Sequence, residues 1–247
     1  MFAYDGRTAV RGSAGRPSGG LGRPVPVLPA ALAARARPIS SASSRLLPLS
    51  EPLVSLFPDR ALRRGSTVVV AGARGLGTTT LALALLAAPS AAGSWCGIVG
   101  VPDPGVVAMA ELGIDLGRVV LVPEARGGWV DAVGELAGGI DVLLVRPFGS
   151  CRPGVARRLV ARARERQTAL VVLVDRPEEW PDGPDLTLRV TRAAWRGIGA
   201  GHGHLQCRLA EVEASGRRSA ARSVSRRLWL PSSSGTVADG DGPEQPV

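Results

Sequence analysis

Short apolar runs alternate with helical patterns through the middle of the chain, and this alternation limits the fold more than any other feature. Each run has the length and composition of a buried strand, and helices of about ten residues separate the runs. Strands linked through helices pair in parallel, and helices then cover both faces of the sheet. Five runs have this form: TVVVAG, CGIVGV, RVVLVP, DVLLVRP and TALVVLVD.

Four helices are predicted between these strands. The first begins at Thr78, and its many small alanines indicate a buried helix. The second lies in PGVVAMAELGI, with Asp103 as a candidate N-cap residue. The third spans residues 129–136 and the fourth spans residues 153–166.

The pattern changes after Pro184 to segments of β character with partial alternation. A glycine-rich link joins the first two of these segments, which is typical of a hairpin. We therefore predict an α/β fold: a mostly parallel sheet with helices on both faces, extended by a C-terminal antiparallel hairpin. The three segments are LTLRVTRAAW, HGHLQCRLAEVEAS and RRLWLP.

Charge and composition divide the chain into four parts. Residues 1–45 are rich in Gly, Pro, Ser, Ala and Arg, so we predict a disordered basic segment in which LPAALAARAR could form a short helix. Residues 46–185 form a nearly neutral core. Residues 186–230 carry nine arginines against two glutamates, a charge of +7 within a chain of +9. Residues 231–247 have the composition of a disordered tail.

Several protein classes are disfavoured by composition. No apolar run approaches the roughly 20 residues of a membrane span, and the N-terminus lacks a secretory layout. Three widely spaced cysteines, Cys96, Cys151 and Cys207, argue against a disulfide framework. These features predict a cytoplasmic protein with no membrane partner.

The stretch AGARGLGTTTL has the outline of a phosphate-binding loop with one position changed. Gly72, Gly77 and Thr79 fit the G-x-x-x-x-G-K-[ST] pattern, but Thr78 stands where the pattern has lysine. That lysine normally reaches the β- and γ-phosphates, and the following hydroxyl binds Mg²⁺. We therefore interpret the stretch as a degenerate nucleotide-binding loop. Its candidate residues are Gly72, Arg74, Gly75, Gly77, Thr78, Thr79 and Thr80.

The order of these landmarks over roughly residues 52–175 resembles the ATPase core of RecA. The segments that carry the resemblance are RGSTVVVAGARGLGTTTLALALL, CGIVGVPDPGVVAMAELGIDLGRVVLVPE, GGIDVLLVR and TALVVLVD. The C-terminal RVTRAAWRGIGAGHGHLQCRLAEVE departs from RecA and looks like the RecA-related accessory protein of the bacterial mutasome in its actinobacterial (ImuA-type) form.

That resemblance implies a role in DNA repair. It suggests a protein induced by DNA damage in the SOS response, which acts in mutagenic translesion synthesis. The implied partners are a catalytically inactive Y-family-like polymerase scaffold and an error-prone polymerase α subunit. Single-stranded DNA is a further candidate partner.

Two other positions test whether the loop could hydrolyse ATP. A carboxylate that helps to hold Mg²⁺ would stand at the end of DVLLV, where this chain has Arg146. In RecA a glutamate after the second strand orients water, and the matching position is about Pro102. We therefore predict no catalytic residues, no cofactor and no ATP hydrolysis. ATP binding without hydrolysis stays open, and so does a loop kept only for packing.

DNA contacts of the RecA type are not expected, because RPFGSCRPG is short and RPEEWPDGPD is acidic. The basic extension is the remaining candidate surface, since arginines interleaved with tryptophans suit either nucleic acid or a protein interface. A solvated hairpin is an equal alternative. No metal site is expected at His202, His204 and Cys207, since no fourth ligand lies nearby. The candidate surface residues are Arg189, Arg192, Trp195, Arg196, Arg208, Arg217, Arg218, Arg226, Arg227 and Trp229.

The favoured function is a non-catalytic accessory protein of a mutagenic polymerase complex, working through protein–protein interaction. Two alternatives remain at this stage. A weak RecA-type ATPase in DNA repair is favoured by Gly72, Gly77 and Thr79. A SulA-like inhibitor of cell division is the other, since such inhibitors share a degenerate RecA-like core.

Overall fold

A computed structural model describes residues 45–125, 127–198, 203–216 and 223–242. Within these ranges, strands and helices alternate through residue 174, and strands dominate after it. The helices are α1 (Glu51–Val54), α2 (Thr78–Ala91), α3 (Val106–Glu111), α4 (Trp129–Leu136) and α5 (Pro153–Arg166). The strands are β1 (Leu46–Leu47), β2 (Leu62–Arg63), β3 (Thr67–Ala71), β4 (Cys96–Val99), β5 (Val119–Val122), β6 (Val142–Val145), β7 (Ala169–Val174), β8 (Leu186–Ile198), β9 (Gly203–Gly216), β10 (Val224–Trp229) and β11 (Ala238–Asp239).

Nine of the described strands form one sheet in the order β11-β10-β9-β8-β3-β7-β6-β4-β5. The six strands from β8 to β5 pair in parallel, as the βα connections require. Strands β9, β10 and β11 then pair antiparallel beyond β8. The predicted α/β fold class, with its parallel sheet and C-terminal antiparallel extension, is confirmed.

Helices cover the two faces of the parallel strands. Helices α1 and α2 cover one face. The α2 side chains Leu81, Leu85 and Leu86 pack there against alternate sheet residues such as Val70. On the other face α4 and α5 pack against the intervening residues of the same strands. The alanine-rich α2 is buried on nearly all sides, which explains why its sequence lacks a polar stripe.

The structure corrects one capping prediction. Helix α3 begins at Val106 with Gly105 as its N-cap, so Asp103 is not the cap. Instead, a carboxylate oxygen of Asp103 accepts a hydrogen bond from the Gly105 amide at 3.3 Å, in the turn before the helix. An Asp at a turn uses the same short side chain that makes it a good cap, so the two roles look alike in sequence.

The tail also differs from its prediction. Residues 238–239 form β11 on β10, and the Gly240 amide donates to the Arg227 carbonyl at 2.9 Å. Ser232 is buried, and its hydroxyl lies 3.1 Å from that of Thr236. The described part of the predicted disordered tail is therefore folded onto the sheet. Residues 243–247, and the segment 1–44 with its predicted helix, lie outside the described residues.

No helix in the described ranges has both the length and the apolar content that crossing a membrane demands.

Candidate functional site

The loop between β3 and α2 keeps the shape that its glycines predict. Gly75 and Gly77 have φ angles of 87° and 97°, a region that favours glycine. At Gly72 a Cβ atom would lie 2.9 Å from the Val190 carbonyl oxygen of β8 and 2.7 Å from the Thr78 hydroxyl. The turn therefore needs small residues for close backbone packing, whether or not a phosphate binds.

A buried arginine from β9 is seated in this loop. The Arg208 side chain donates from Nη1 to the Gly75 carbonyl and from Nη2 to the Thr80 hydroxyl, both at 3.1 Å. Its Nε donates to the Leu230 carbonyl at 2.7 Å. A Cβ atom at Gly77 would come within 2.5 Å of Nη2, so the guanidinium packs directly on the loop backbone.

The opposite strand of the hairpin holds this arginine in place. Trp195 of β8 pairs with Arg208 of β9, and the guanidinium carbon lies 4.7 Å from the centre of the indole ring. That distance is within the range of a cation–π interaction. Only 7% of Arg208 is exposed, and burial lowers the pKa of its guanidinium. The cation is therefore satisfied by carbonyls, a hydroxyl and a ring, rather than by a carboxylate.

The space left beside the loop is small. The cleft has a volume of about 140 Å³, and it is lined by loop residues together with Arg146, Asp175 and Arg208. Pockets that bury drug-sized ligands have volumes of roughly 300–1,000 Å³. The cleft is therefore smaller than a typical small-molecule pocket.

Two charged residues at the ends of neighbouring strands neutralise each other. Arg146 follows β6, Asp175 follows β7, and their side chains form an ion pair at 2.8 Å. Asp175 is the one carboxylate among the described residues that line the cleft. Because Arg146 holds it, this carboxylate is not free to coordinate a divalent cation. Pro102 is exposed and offers no base.

Among the remaining predicted loop residues, Arg74 is the charged one. Thr78, at the lysine position, is 6% exposed, and its hydroxyl has no hydrogen-bond partner in the described part of the chain. Thr79 is half-buried and Arg74 is exposed. The structure thus brings all seven predicted loop residues together. It also places Arg208 in the loop, whereas the sequence analysis had predicted Arg208 on the surface of the extension.

The predicted surface of the extension is only partly a surface. Arg208 is buried in the loop and Trp229 is only 8% exposed, so both are wrong as exposed contact residues. Arg189, Arg192, Trp195 and Arg196 are exposed along β8. Arg226 and Arg227 are exposed on β10. Arg217 and Arg218 lie outside the described residues.

The two arginines of β10 already have partners. Arg226 donates to the Ser55 hydroxyl at 3.2 Å, and Arg227 forms an ion pair with Asp241 at 2.5 Å. In the part of the chain that the structure describes, no three side chains of the His, Cys, Asp and Glu types are grouped as metal ligands. His202 lies outside that part, and His204 is exposed on β9.

Comparison with known proteins places the core in a family. Residues 55–182 match the family described as the MT3502 N-terminal domain, and this match covers just over half of the chain. The chain is also 37% identical over 114 residues to "Uncharacterized protein Rv3395c" of Mycobacterium tuberculosis (strain ATCC 25618 / H37Rv). The aligned region covers 45% of this chain and 53% of that relative, so the chain spans about half the relative's length. The family match ends before β8 begins at Leu186, so it includes the loop and leaves out the hairpin that supplies Arg208.

Proposed function

We propose that this chain, which belongs to the MT3502 N-terminal domain family, is a non-catalytic accessory protein of a DNA-damage-induced mutagenic polymerase complex. The loop between β3 and α2 binds the Arg208 side chain and so fixes a C-terminal binding arm to the core. The arm, β8 and β9, then meets the polymerase components. The proposal has two parts, the absence of catalysis and the biological setting, and different observations support them.

The seated guanidinium of Arg208 is the observation that carries the first part. It makes hydrogen bonds to the Gly75 carbonyl and the Thr80 hydroxyl, within the same loop whose backbone N–H groups and Thr79 hydroxyl would hold phosphate and Mg²⁺ in an active P-loop. The ion pair between Arg146 and Asp175 occupies the carboxylate of the same cleft. Phosphoryl transfer depends on positioning and on charge stabilisation by a metal, so these two contacts support the proposal that the loop is not catalytic.

The sequence supports the biological setting. The segments that resemble the RecA core and the mutasome accessory protein include the loop, strand β5 and the hairpin. A Y-family-like polymerase scaffold and an error-prone polymerase α subunit are the proposed partners. The dense pairing of β8 with β9 and the contacts of Arg208 make the arm a rigid platform for such a role.

A purified-protein assay tests the absence of catalysis. We expect no ATP hydrolysis above the buffer rate, with or without single-stranded DNA. Thr79→Ala is the matched variant, because it removes the hydroxyl that would bind Mg²⁺ in an active loop. Turnover by the wild type that Thr79→Ala abolishes would overturn this part of the proposal.

Complementation of a deletion strain tests the setting. Loss of the gene should lower the frequency of mutations induced by ultraviolet light, and the wild-type gene should restore it. An unchanged induced frequency in the deletion strain would contradict the mutagenic role. Division arrest on overproduction, with unaltered mutation frequency, would favour a cell-division inhibitor instead.

A further inference from the structure

We propose that one face of the hairpin binds an acidic protein segment that carries aliphatic anchor residues. The inference rests on the proposed adaptor role and assigns the chemistry of its partner. The surface, called here the basic–aliphatic face, consists of the arginine row Arg189, Arg192 and Arg196, with the exposed Ile198 and Leu205 at the outer end of the hairpin.

The strand register places the three arginines on one side of the hairpin. Arg189, Arg192, Arg196 and Ile198 of β8 pair with Glu213, Glu211, Cys207 and Gly203 of β9, respectively. The partners of the three arginines are alternate residues of β9, and alternate residues share a face. A second register shift separates Arg196 from Ile198, so Ile198 and Leu205 lie beyond the row, at the outer end of the hairpin. Arg189 and Arg192 are three residues apart, a spacing that would place them on opposite faces of a regular strand. A register shift between Val190 and Arg192 returns them to the same side.

The three arginines form a row in which Arg189 and Arg192 stand opposite Glu213 and Glu211, and Arg196 stands opposite Cys207. All three are exposed, and their guanidinium groups make no ion pair or hydrogen bond within the described ranges. Arg226 and Arg227 on the neighbouring strand β10, by contrast, both have side-chain partners. From residue 189 to residue 196 the row runs roughly 20 Å at about 3.3 Å per residue. An extended segment of six or so residues could therefore meet all three cations.

Aliphatic side chains lie exposed at the outer end of this row. Ile198 is 61% exposed and Leu205 is 48% exposed. Exposed apolar residues next to a polar rim are typical of binding surfaces, where they provide anchors while charges set orientation. The combination predicts a partner with carboxylates along its length and an apolar residue at one end.

A nucleic acid fits this face less well than an acidic protein segment. Glu211 and Glu213 lie between the arginines and β10, and they would oppose a backbone with a charge at every nucleotide. A protein segment can space its carboxylates to meet the arginines and avoid the glutamates. Trp195, the nearest aromatic residue, already has Arg208 over its ring, so that side is closed to a stacking base.

The test is a binding titration of the full chain with fluorescein-labelled probes. The principal probe is a short peptide in which glutamate alternates with leucine, and its control replaces each leucine by serine. An oligothymidylate is the third probe. We expect saturable binding of the glutamate–leucine peptide that is tighter than binding of the other two, and weaker at high salt.

Matched variants locate the site. Changing Arg189, Arg192 and Arg196 together to glutamine should weaken peptide binding by about tenfold or more. The control changes Arg157, Arg158 and Arg166 on the exposed side of α5 to glutamine, which removes the same charge elsewhere and should change affinity by less than about twofold. Ile198→Ser with Leu205→Ser should also cost about tenfold.

Three results would overturn the inference. These are no saturable binding of the glutamate–leucine peptide, equal weakening by both arginine triples, or tighter binding of oligothymidylate through Arg189, Arg192 and Arg196. The last result would assign the face to single-stranded DNA. The binding titration does not depend on mutation frequency, so its failure is distinguishable from failure of the proposed function.

Discussion

Replacing Arg208 by methionine is the most direct perturbation of the loop. Methionine keeps an unbranched stem but removes the guanidinium, and with it three hydrogen bonds and the contact with Trp195. The Gly75 carbonyl and the Thr80 hydroxyl lie near solvent, so water can replace those two bonds. The Leu230 carbonyl belongs to a residue with 0% exposure, so its acceptor would be left without a partner.

The expected loss follows from these contacts. A buried acceptor left unpaired costs about 1–3 kcal/mol, and a cation–π contact with the partly exposed Trp195 ring contributes about 1 kcal/mol. Removing a buried charge also relieves its desolvation, but the guanidinium is weakly hydrated, so this relief is smaller than for an ammonium group. We expect Arg208→Met to lower the free energy of unfolding by about 2–4 kcal/mol.

Urea denaturation followed by circular dichroism measures this loss. Arg189→Met is the matched control, because Arg189 is exposed on β8, and its substitution should change stability by less than about 0.5 kcal/mol. Amide hydrogen exchange in residues 72–77 should become faster in Arg208→Met alone. A stability equal to wild type, with unchanged exchange, would refute the view that the arginine ties the hairpin to the loop.

Three further predictions concern the loop, the tail and a core thiol. Thr78→Lys restores the loop pattern but should create no ATP hydrolysis in a phosphate-release assay. Arg208 stays seated in the loop, and Asp175, the carboxylate among the described residues of the cleft, is paired with Arg146. Deleting residues 232–247 should lower the free energy of unfolding by about 2 kcal/mol through lost β11 contacts, whereas deleting only 243–247 should leave it nearly unchanged. Burial and the nearby Asp141 raise the pKa of the Cys96 thiol to about 12, so native protein should leave Cys96 unlabelled by a thiol reagent at pH 8. The unfolded thiol ionises near pH 9.0, whereas the folded thiol stays protonated up to a higher pH. The free energy of unfolding should therefore fall as pH rises above 9, and this fall should be absent in Cys96→Ala.

Local sequence patterns were sufficient for the parallel part of the fold. The predicted bounds of α4 and α5 agree with the structure, because amphipathic spacing defines both helices and Pro153 starts the second. The strands were predictable because a continuous apolar run between glycines is typical of a strand buried on both faces. The tail was not predictable in this way, since hydroxyl and backbone hydrogen bonds order it together with the packing of Val237 against the core, and none of these forms a local apolar pattern.

The seat of Arg208 was missed because its partner is distant in sequence. Arg208 and Thr80 are separated by 128 positions, and no local motif links them. The strand itself carried a signal, however. Ala210, Val212 and Ala214 occupy the buried face of β9, and Arg208 continues the same alternation. An arginine at the end of a buried apolar series predicts a guanidinium that enters the core and finds acceptors there.

The glycines of the loop have a structural cause that does not require a nucleotide. Gly72 allows the Val190 carbonyl of β8 to approach, and Gly77 allows the Arg208 guanidinium of β9 to approach. Both neighbours come from the hairpin, so the loop and the arm depend on each other sterically. A loop pattern that normally accommodates phosphate here accommodates an arginine and a strand. The glycines at positions 72 and 77 are therefore explained by the contacts of the hairpin alone, without a bound nucleotide.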